Sequence, residues 1–182
     1  MLTQLLNGSV PSVAQAQGAV AFSRLGDGKT HNKTAAGTAG APLEVLFCQA
    51  GSLEVEAPGR RAQAKKGTVL LFSAVPGTWS VCADAEFRGA VLTLERTKLS
   101  AFGRECGGFV LNEDSACRLE ASGGCALLQA CPWEVSVFAS LEALPAEEQA
   151  DYLKLKTAEM FYLLGREVLR LCAPAACAYY DS

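Results

Sequence analysis

The chain has 182 residues, a length typical of one domain or of a domain with an appended segment. Hydrophobic residues make up 50% and charged residues 19%, so a sizeable core is expected and extensive disorder is excluded. The formal net charge is −3, which argues against a surface that neutralises phosphates. If the protein acts on DNA, we expect a separate domain, absent from this chain, to make the contact.

The first part of the chain predicts short β-strands separated by turns. Residues 19–25 are the first predicted strand, and 26–42, which is rich in glycine, alanine and polar residues, is predicted to be a mobile loop. Further strands are predicted at 43–49, 53–57, 60–65, 68–73, 78–83 and 87–95. Six or seven strands at roughly ten-residue spacing indicate a sandwich or a barrel.

The residue pattern of several of these segments also indicates which of their faces are buried. Residues 50–52 (Ala-Gly-Ser) predict a hairpin turn, and apolar and acidic residues alternate along 53–57, as in a strand with one wet face. The polar segment 60–65 is predicted to be an edge strand. The apolar run 68–73 is typical of a strand buried on both faces.

After residue 99 the pattern changes from strands to helices. Short strands are predicted at 109–111 and 126–129, and a helix from 132 to about 144. A second helix is predicted from Pro145 to about 171, before Pro174. Its first turn is acidic, as the helix dipole favours, and Glu159 is placed to pair with Lys156 one turn earlier.

The second predicted helix carries two apolar stripes at three- and four-residue steps. The first stripe consists of Leu153, Met160, Leu164, Val168 and Leu171. The second stripe consists of Tyr152, Leu155, Tyr162 and Leu169. A barrel can cover one stripe, and the other needs the 132–144 helix or another chain. We expect a homodimer whose interface includes Leu153, Met160, Leu164, Val168 and Leu169. The alternative is that the two helices pack together and leave no exposed face.

The residues that usually carry metal or acid–base chemistry are scarce. His31 is the only histidine, and the eight cysteines form no Cys-x-x-Cys pair. We therefore expect no metal, no cofactor and no catalytic residue. The chain shows no signal peptide and no apolar run long enough to cross a membrane, which favours a cytoplasmic protein with reduced, mostly buried cysteines.

Two stretches resemble known families. The hairpin LEVLFCQAGSLEVE at 43–56, followed by KGTVLLFS at 66–73, resembles a cupin, in which a strand pair crosses a glycine turn. The stretch LPAEEQADYLKLKTAE at 144–159 resembles the end of the N-terminal sensor domain of AraC-type transcription regulators, where a leucine–proline step leads into a helix. The chain lacks the His-x-His cluster of metal-binding cupins, and nothing after Leu171 resembles a helix-turn-helix unit.

The resemblance implies a mainly β fold with C-terminal helices. Residues 1–130 would form a cupin-like β-barrel (jelly roll) that binds an effector, and 131–182 a helical dimerisation and relay segment with a tail. The implied function is a non-enzymatic sensor domain. It would bind a small molecule in a metal-free barrel and reach DNA only through a separate helix-turn-helix region. Two alternatives stay open: a metal-free cupin enzyme of the sugar isomerase or epimerase type, and a stand-alone dimerising interaction module.

Strand alternation gives a first prediction of the effector pocket. Its members are Phe47, Phe72, Trp79, Arg88 and Val91. An aromatic floor with one cation suits a small organic molecule, and Trp79, after a Pro-Gly turn, is predicted at the barrel mouth. The alternative is that Phe47, Phe72 and Val91 are ordinary core residues and that Arg88 lies on an outer, solvated face.

Overall fold

The computed structural model describes residues 6, 14–16, 20–26, 28–105, 113–129, 140 and 143–171. Within these ranges the chain forms ten β-strands and three α-helices of nine residues or more. The strands are β1 (Ala14–Ala16), β2 (Val20–Leu25), β3 (His31–Gly37), β4 (Leu43–Ala50), β5 (Ser52–Ala57), β6 (Arg60–Lys65), β7 (Thr68–Ser73), β8 (Gly77–Ala83), β9 (Arg88–Leu94) and β10 (Cys125–Gln129). The helices are α1 (Arg96–Glu105), α2 (Glu113–Ala121) and α3 (Ala146–Leu171). None of these helices is long and apolar enough to cross a membrane.

The strands form two antiparallel sheets that face each other. The larger sheet has six strands in the order β1-β2-β9-β4-β7-β10, and the smaller has four in the order β3-β8-β5-β6. Apolar side chains from both sheets fill the space between them, and we call this cluster the interior core. Its large members include Leu46, Leu70, Phe72 and Val91 from the six-stranded sheet and Leu53, Val55, Trp79 and Val81 from the four-stranded sheet. The predicted jelly-roll barrel followed by helices is confirmed.

The six-stranded sheet has a second apolar face, which the helices cover. We call the cluster on that face the helix-facing core. Its strand members include Phe22, Val45, Phe47, Val69, Leu71 and Leu92, and its helix members are Leu99, Ala116, Leu119, Leu153 and Met160. Because the sheet is buried on both faces, β4 and β7 are apolar almost throughout rather than alternating.

Several local predictions are confirmed. Strands lie at each of the segments predicted between residues 43 and 95, and Gly51, with φ 63°, supplies the left-handed turn between β4 and β5. The polar strand β6 is an edge of the four-stranded sheet. The strand β10 and the long helix α3 also correspond to predictions, and Glu147 and Glu148 lie in the first turn of α3.

The prediction of a loop at 26–42 is wrong in its central part. Residues His31–Gly37 form β3, which pairs along its whole length with β8. The composition of this segment favours a loop, but pairing with a distant strand satisfies its backbone and overrides that local preference. At its end Gly37 lies against Trp79, where a Cβ atom would come 2.4 Å from the indole Nε1, so only glycine fits without rearrangement.

The helices α1 and α2 were not predicted from the sequence. They follow β9 and pack against the outer side of the six-stranded sheet, where Leu99 and Leu119 are buried. The predicted strand at 109–111 lies outside the described residues. So does the predicted helix at 132–144, apart from residues 140, 143 and 144.

Candidate functional site

The structure brings together three of the five residues that the sequence assigned to the pocket. Phe72, Trp79 and Val91 all lie in the interior core with no exposed surface. The rings of Phe72 and Trp79 meet edge to face, with centroids 4.5 Å apart and an interplanar angle of 62°. Phe47 and Arg88 lie elsewhere, so the predicted set of five does not form one site.

Phe47 points away from the barrel interior. It lies opposite Val69 on β7 and Ala90 on β9, and all three belong to the helix-facing core. Its neighbour Cys48 faces the interior instead. Successive residues of a strand face opposite sides of the sheet, and β4 is buried on both sides, so its sequence contains no polar marker that distinguishes the faces.

Arg88 is exposed at the start of β9. Its Nη1 donates to the carbonyl oxygen of Phe87 at 2.7 Å and to that of Ala85 at 3.4 Å. The guanidinium therefore stabilises the turn that precedes β9, on the outside of the barrel. The assignment of Arg88 to the pocket is corrected accordingly.

Trp79 is a core residue and not a residue of an open barrel mouth. Its Nε1 donates to the carbonyl oxygen of Val75 at 2.9 Å, which satisfies the polar atom of a fully buried indole. Gly37 and Gly124 both lie against its ring, and neither position has room for a Cβ atom. Backbone therefore encloses Trp79 on two sides while Phe72 covers its edge.

The sequence reasoning missed a polar group inside the barrel. Glu44 on β4 has no exposed surface, and its position two residues before Leu46 places it on the interior face of the sheet. Thr93 lies directly opposite it on β9, and Ser23, 5% exposed, lies on the same face of β2. The available signal was one acidic residue within the apolar run 43–48.

A second polar cluster lies on the helix side of the sheet. Arg96, at the start of α1, donates to the carboxylates of Glu113 and Glu120 on α2 and, at 3.3 Å, to the hydroxyl of Ser73 at the end of β7. We call these four residues the Arg96 clamp. Burial disfavours the charged guanidinium, but the hydrogen bonds and charges of the two glutamates outweigh burial and raise the pKa of Arg96. The clamp fixes α1 and α2 to the end of β7.

The two apolar stripes of α3 have different surroundings. Leu153 and Met160 of the first stripe are buried in the helix-facing core of their own chain, so these two are not available to a partner, contrary to the predicted interface. In the second stripe Leu155 is 65% exposed and Tyr162 46% exposed. The side chains of Leu164, Val168 and Leu169 lie outside the described part of the structure.

A shallow cleft of about 360 Å³ opens at the start of α3. Its lining residues are Leu144, Glu147, Glu148, Asp151, Tyr152 and Leu155. The exposed part of the second stripe therefore continues into a cleft with an acidic edge.

Four cysteines lie in the described part of the chain, and all four are free thiols. Cys48 and Cys125 are buried, while Cys82 and Cys117 are exposed. Burial, assisted by the negative charge of Asp84, raises the pKa of Cys48 to about 11. Within the same residues no group of three or more His, Cys, Asp or Glu side chains is placed to hold a metal ion.

No protein-family model and no curated protein matches this chain. Its fold is nevertheless similar to solved structures. A ligand-free ToxT variant from Vibrio cholerae gives a TM-score of 0.59 at 11% identity, over 85% of this chain and 58% of that one. The AraC-like transcriptional activator CuxR gives 0.57 at 12% identity, over 80% of this chain and 51% of that one. Wild-type ToxT with a bound unsaturated fatty acid gives 0.54 at 13% identity, over 82% and 55%.

The chain has the fold of the N-terminal domain of AraC-type regulators, as the resemblance of its sequence implied. It spans between about half and three-fifths of the length of these solved structures. At 11–13% identity the likeness concerns the fold alone.

Proposed function

We propose that this chain is the effector-binding and dimerisation domain of an AraC-like transcription regulator. The barrel binds a small molecule without metal, cofactor or catalysis. The C-terminal helical segment, from about residue 131, dimerises and relays occupancy to a separate helix-turn-helix region that contacts DNA in the cytoplasm.

The observation that carries this proposal is the extent of the fold match. The match to the AraC-like transcriptional activator covers 80% of this chain. A ToxT structure with the same fold holds an unsaturated fatty acid. A protein of similar fold can therefore be expected to bind a small-molecule effector, although fold by itself does not determine function.

The architecture provides a direct route from the barrel to α3. Strands β4, β7 and β9 each place alternate side chains in the interior core and in the helix-facing core. Because packed interiors are dense and transmit strain, an effector that shifts these strands from the inside also shifts the surface on which Leu153 and Met160 rest. We therefore assign the six-stranded sheet as the element that connects effector binding to α3.

The proposed dimer interface is the second stripe of α3. Leu155 and Tyr162 are seven residues apart, so they lie on one side of the helix, and both are exposed in the single chain. Leu169 continues this spacing in the sequence. Leu164 and Val168 remain proposed contributors, whereas Leu153 and Met160 support the helix from the side of the barrel.

Native mass spectrometry of the chain, purified without denaturation, tests the effector site. We expect a fraction of the protein to retain a noncovalent adduct of a few hundred daltons, which denaturing conditions release. Val91→Trp, which fills the interior core, should abolish the adduct. Ala36→Trp is the matched control, since Ala36 is exposed and faces the outer side of β3. Adduct retention by the Val91→Trp variant, or equal loss in both variants, would count against a barrel site.

A further inference from the structure

One buried hydroxyl beneath α3 has no hydrogen-bond partner. Thr157 has no exposed surface, and its Oγ1 is the only buried side-chain oxygen or nitrogen atom without a partner in the described part of the chain. Buried polar groups in folded proteins are almost always paired, because an unpaired group loses its hydration and gains nothing in return. Thr157 is therefore an exception that calls for a physical explanation.

Thr157 lies on the side of α3 that contacts the six-stranded sheet. Leu153, four residues earlier, and Met160, three residues later, both belong to the helix-facing core, and residues at these spacings share one face of a helix. A threonine inside a helix can donate to a backbone carbonyl three or four residues before it, but Oγ1 of Thr157 makes no such bond. Neither the helix nor the surface beneath it compensates this hydroxyl for its burial.

The buried hydroxyl of Ser73 has the opposite effect. It donates to Oε1 of Glu120 at 2.8 Å and accepts from Arg96 at 3.3 Å, as part of the Arg96 clamp. Ser73 thus helps to fix α1 and α2 to the sheet, whereas the hydroxyl of Thr157 costs free energy for as long as α3 lies on the sheet. That cost ends when α3 lifts from the sheet, because water then reaches the hydroxyl.

We infer that Thr157 weakens the contact between α3 and the six-stranded sheet, so that the helix can lift while the barrel stays folded. Burial of Leu153 and Met160 favours the docked helix, and the unpaired hydroxyl between them opposes it. The docked and lifted states are therefore closer in free energy than apolar packing alone would make them.

The use of this equilibrium as a relay rests on the proposed function. An effector that changes the surface of the sheet would bind the two states with different affinity and so shift their populations. The equilibrium itself is a property of this chain, and it can be measured without an effector.

Hydrogen–deuterium exchange of the backbone amides, followed by mass spectrometry, tests the inference on the wild-type chain. We expect the amides of residues 153–160 to be less protected than those of β4 and β7, because α3 opens separately from the sheet. Equal protection of the helix and of these strands would mean that α3 leaves the sheet only when the whole chain unfolds, and the inference would be overturned.

Thr157→Val removes the hydroxyl and keeps the shape of the side chain. We expect exchange at residues 153–160 to slow by about tenfold, because valine is buried without the cost of an unpaired polar group. Thr97→Val is the matched control, since Thr97 is an exposed threonine of α1, and it should leave the exchange of α3 unchanged. Thr157→Ser keeps a hydroxyl and should not slow the exchange.

The outcomes separate the inference from the function on which its use as a relay rests. Unchanged or faster exchange in Thr157→Val would show that the hydroxyl is paired in solution, by a bound water or a backbone carbonyl, and would overturn the inference. Slower exchange in Thr157→Ser would also overturn it, because the hydroxyl would then not be the cause. Effector binding is decided separately by the native mass spectrometry of the barrel, whatever the exchange rates of α3.

Discussion

The two faces of the six-stranded sheet are covered in different ways. The interior face packs against a second sheet, whose strands are joined to one another by continuous backbone hydrogen bonds. The opposite face is covered by helices, which hold the sheet through apolar side chains and through the Arg96 clamp. A helix that is held only by side-chain contacts can shift as a rigid unit, whereas a strand can separate from its sheet only by breaking backbone hydrogen bonds. Under the proposed function, the barrel would bind the effector and the helices would transmit its binding.

Removal of the clamp's cation should have the largest effect on this arrangement. We expect Arg96→Met to lower the free energy of unfolding by about 3–5 kcal/mol, because it leaves the carboxylates of Glu113 and Glu120 together without their partner in a partly buried site. Urea denaturation followed by circular dichroism measures the change.

The matched control is Arg61→Met on the four-stranded sheet. Arg61 also pairs with a glutamate, Glu54, but its side chain is 70% exposed, whereas that of Arg96 is 9% exposed. Exposed pairs contribute about 0–1 kcal/mol, so this variant should stay close to the wild type. Similar losses in the two variants would show that the clamp does not hold the helices as we describe.

Two leucines of α3 give the next largest contrast. Leu153 is 1% exposed in the helix-facing core and Leu155 is 65% exposed. Leu153→Ala should cost about 2–5 kcal/mol, since it removes transfer free energy and leaves a cavity, whereas Leu155→Ala should change stability by about 0.5 kcal/mol or less in the monomer. Chemical denaturation at sub-micromolar concentration makes the comparison. A larger loss for Leu155 would place the helix the other way round on the sheet.

These residues also show what the sequence could predict. Local patterns sufficed where the signal is local: the acidic first turn of α3, the Gly51 turn and the Lys156–Glu159 pair, whose charged atoms lie 2.7 Å apart, were all found. The two stripes of α3 were found as well. Which stripe faces the barrel depends on packing against residues that are distant in the sequence, such as Phe22 and Val45, and the local sequence pattern does not contain that information.

The candidate site shows the same limit. Phe72, Trp79 and Val91, which were predicted to line one pocket, lie together as buried residues of the interior core. Phe47 faces the helices instead, because β4 is apolar on both sides. The strand β3 was missed because its paired residues on β8 lie 40 to 52 positions away and its own residues are mostly small or polar. Glu44 was passed over although a single charged residue within an apolar strand is an exception to the usual pattern, and the structure shows that this side chain is fully buried.

The free energy of unfolding should also depend on pH through the buried Cys48 thiol, and this effect should be smaller than those of the substitutions above. Burial raises the pKa of the Cys48 thiol from its usual value of 9.0 to about 11. The folded chain therefore holds its proton where the unfolded chain releases it, so the stability from the neutral buried thiol is complete below pH 9 and is lost as the pH rises toward 11. Two pH units correspond to about 2–3 kcal/mol at most.

Unfolding measured by urea between pH 8 and 10.5 checks this dependence. The wild type should lose about 2 kcal/mol more over this range than Cys48→Ala, whereas Cys82→Ala, which removes an exposed thiol, should follow the wild type. The comparison uses the slope of the free energy of unfolding against pH, because Cys48→Ala also removes packing contacts and so lowers stability at every pH. Parallel slopes for the wild type and Cys48→Ala would mean that water reaches the Cys48 thiol and that the interior is less closed than the structure shows.

The smallest effect on stability is expected at the surface that we propose for dimerisation. Leu155→Glu replaces an exposed leucine, so the monomer should change by about 0.5 kcal/mol, including repulsion from Asp151 and Glu159 one turn away on either side. In a dimer the same side chain would enter an apolar seam, where an unpaired carboxylate costs several kcal/mol. Sedimentation velocity at tens of micromolar should therefore show a dimer for the wild type and for Leu127→Glu, which alters an exposed leucine on β10, but a monomer for Leu155→Glu. A wild type that is already monomeric at that concentration would remove the second stripe as an interface and leave α3 with a role inside its own chain only.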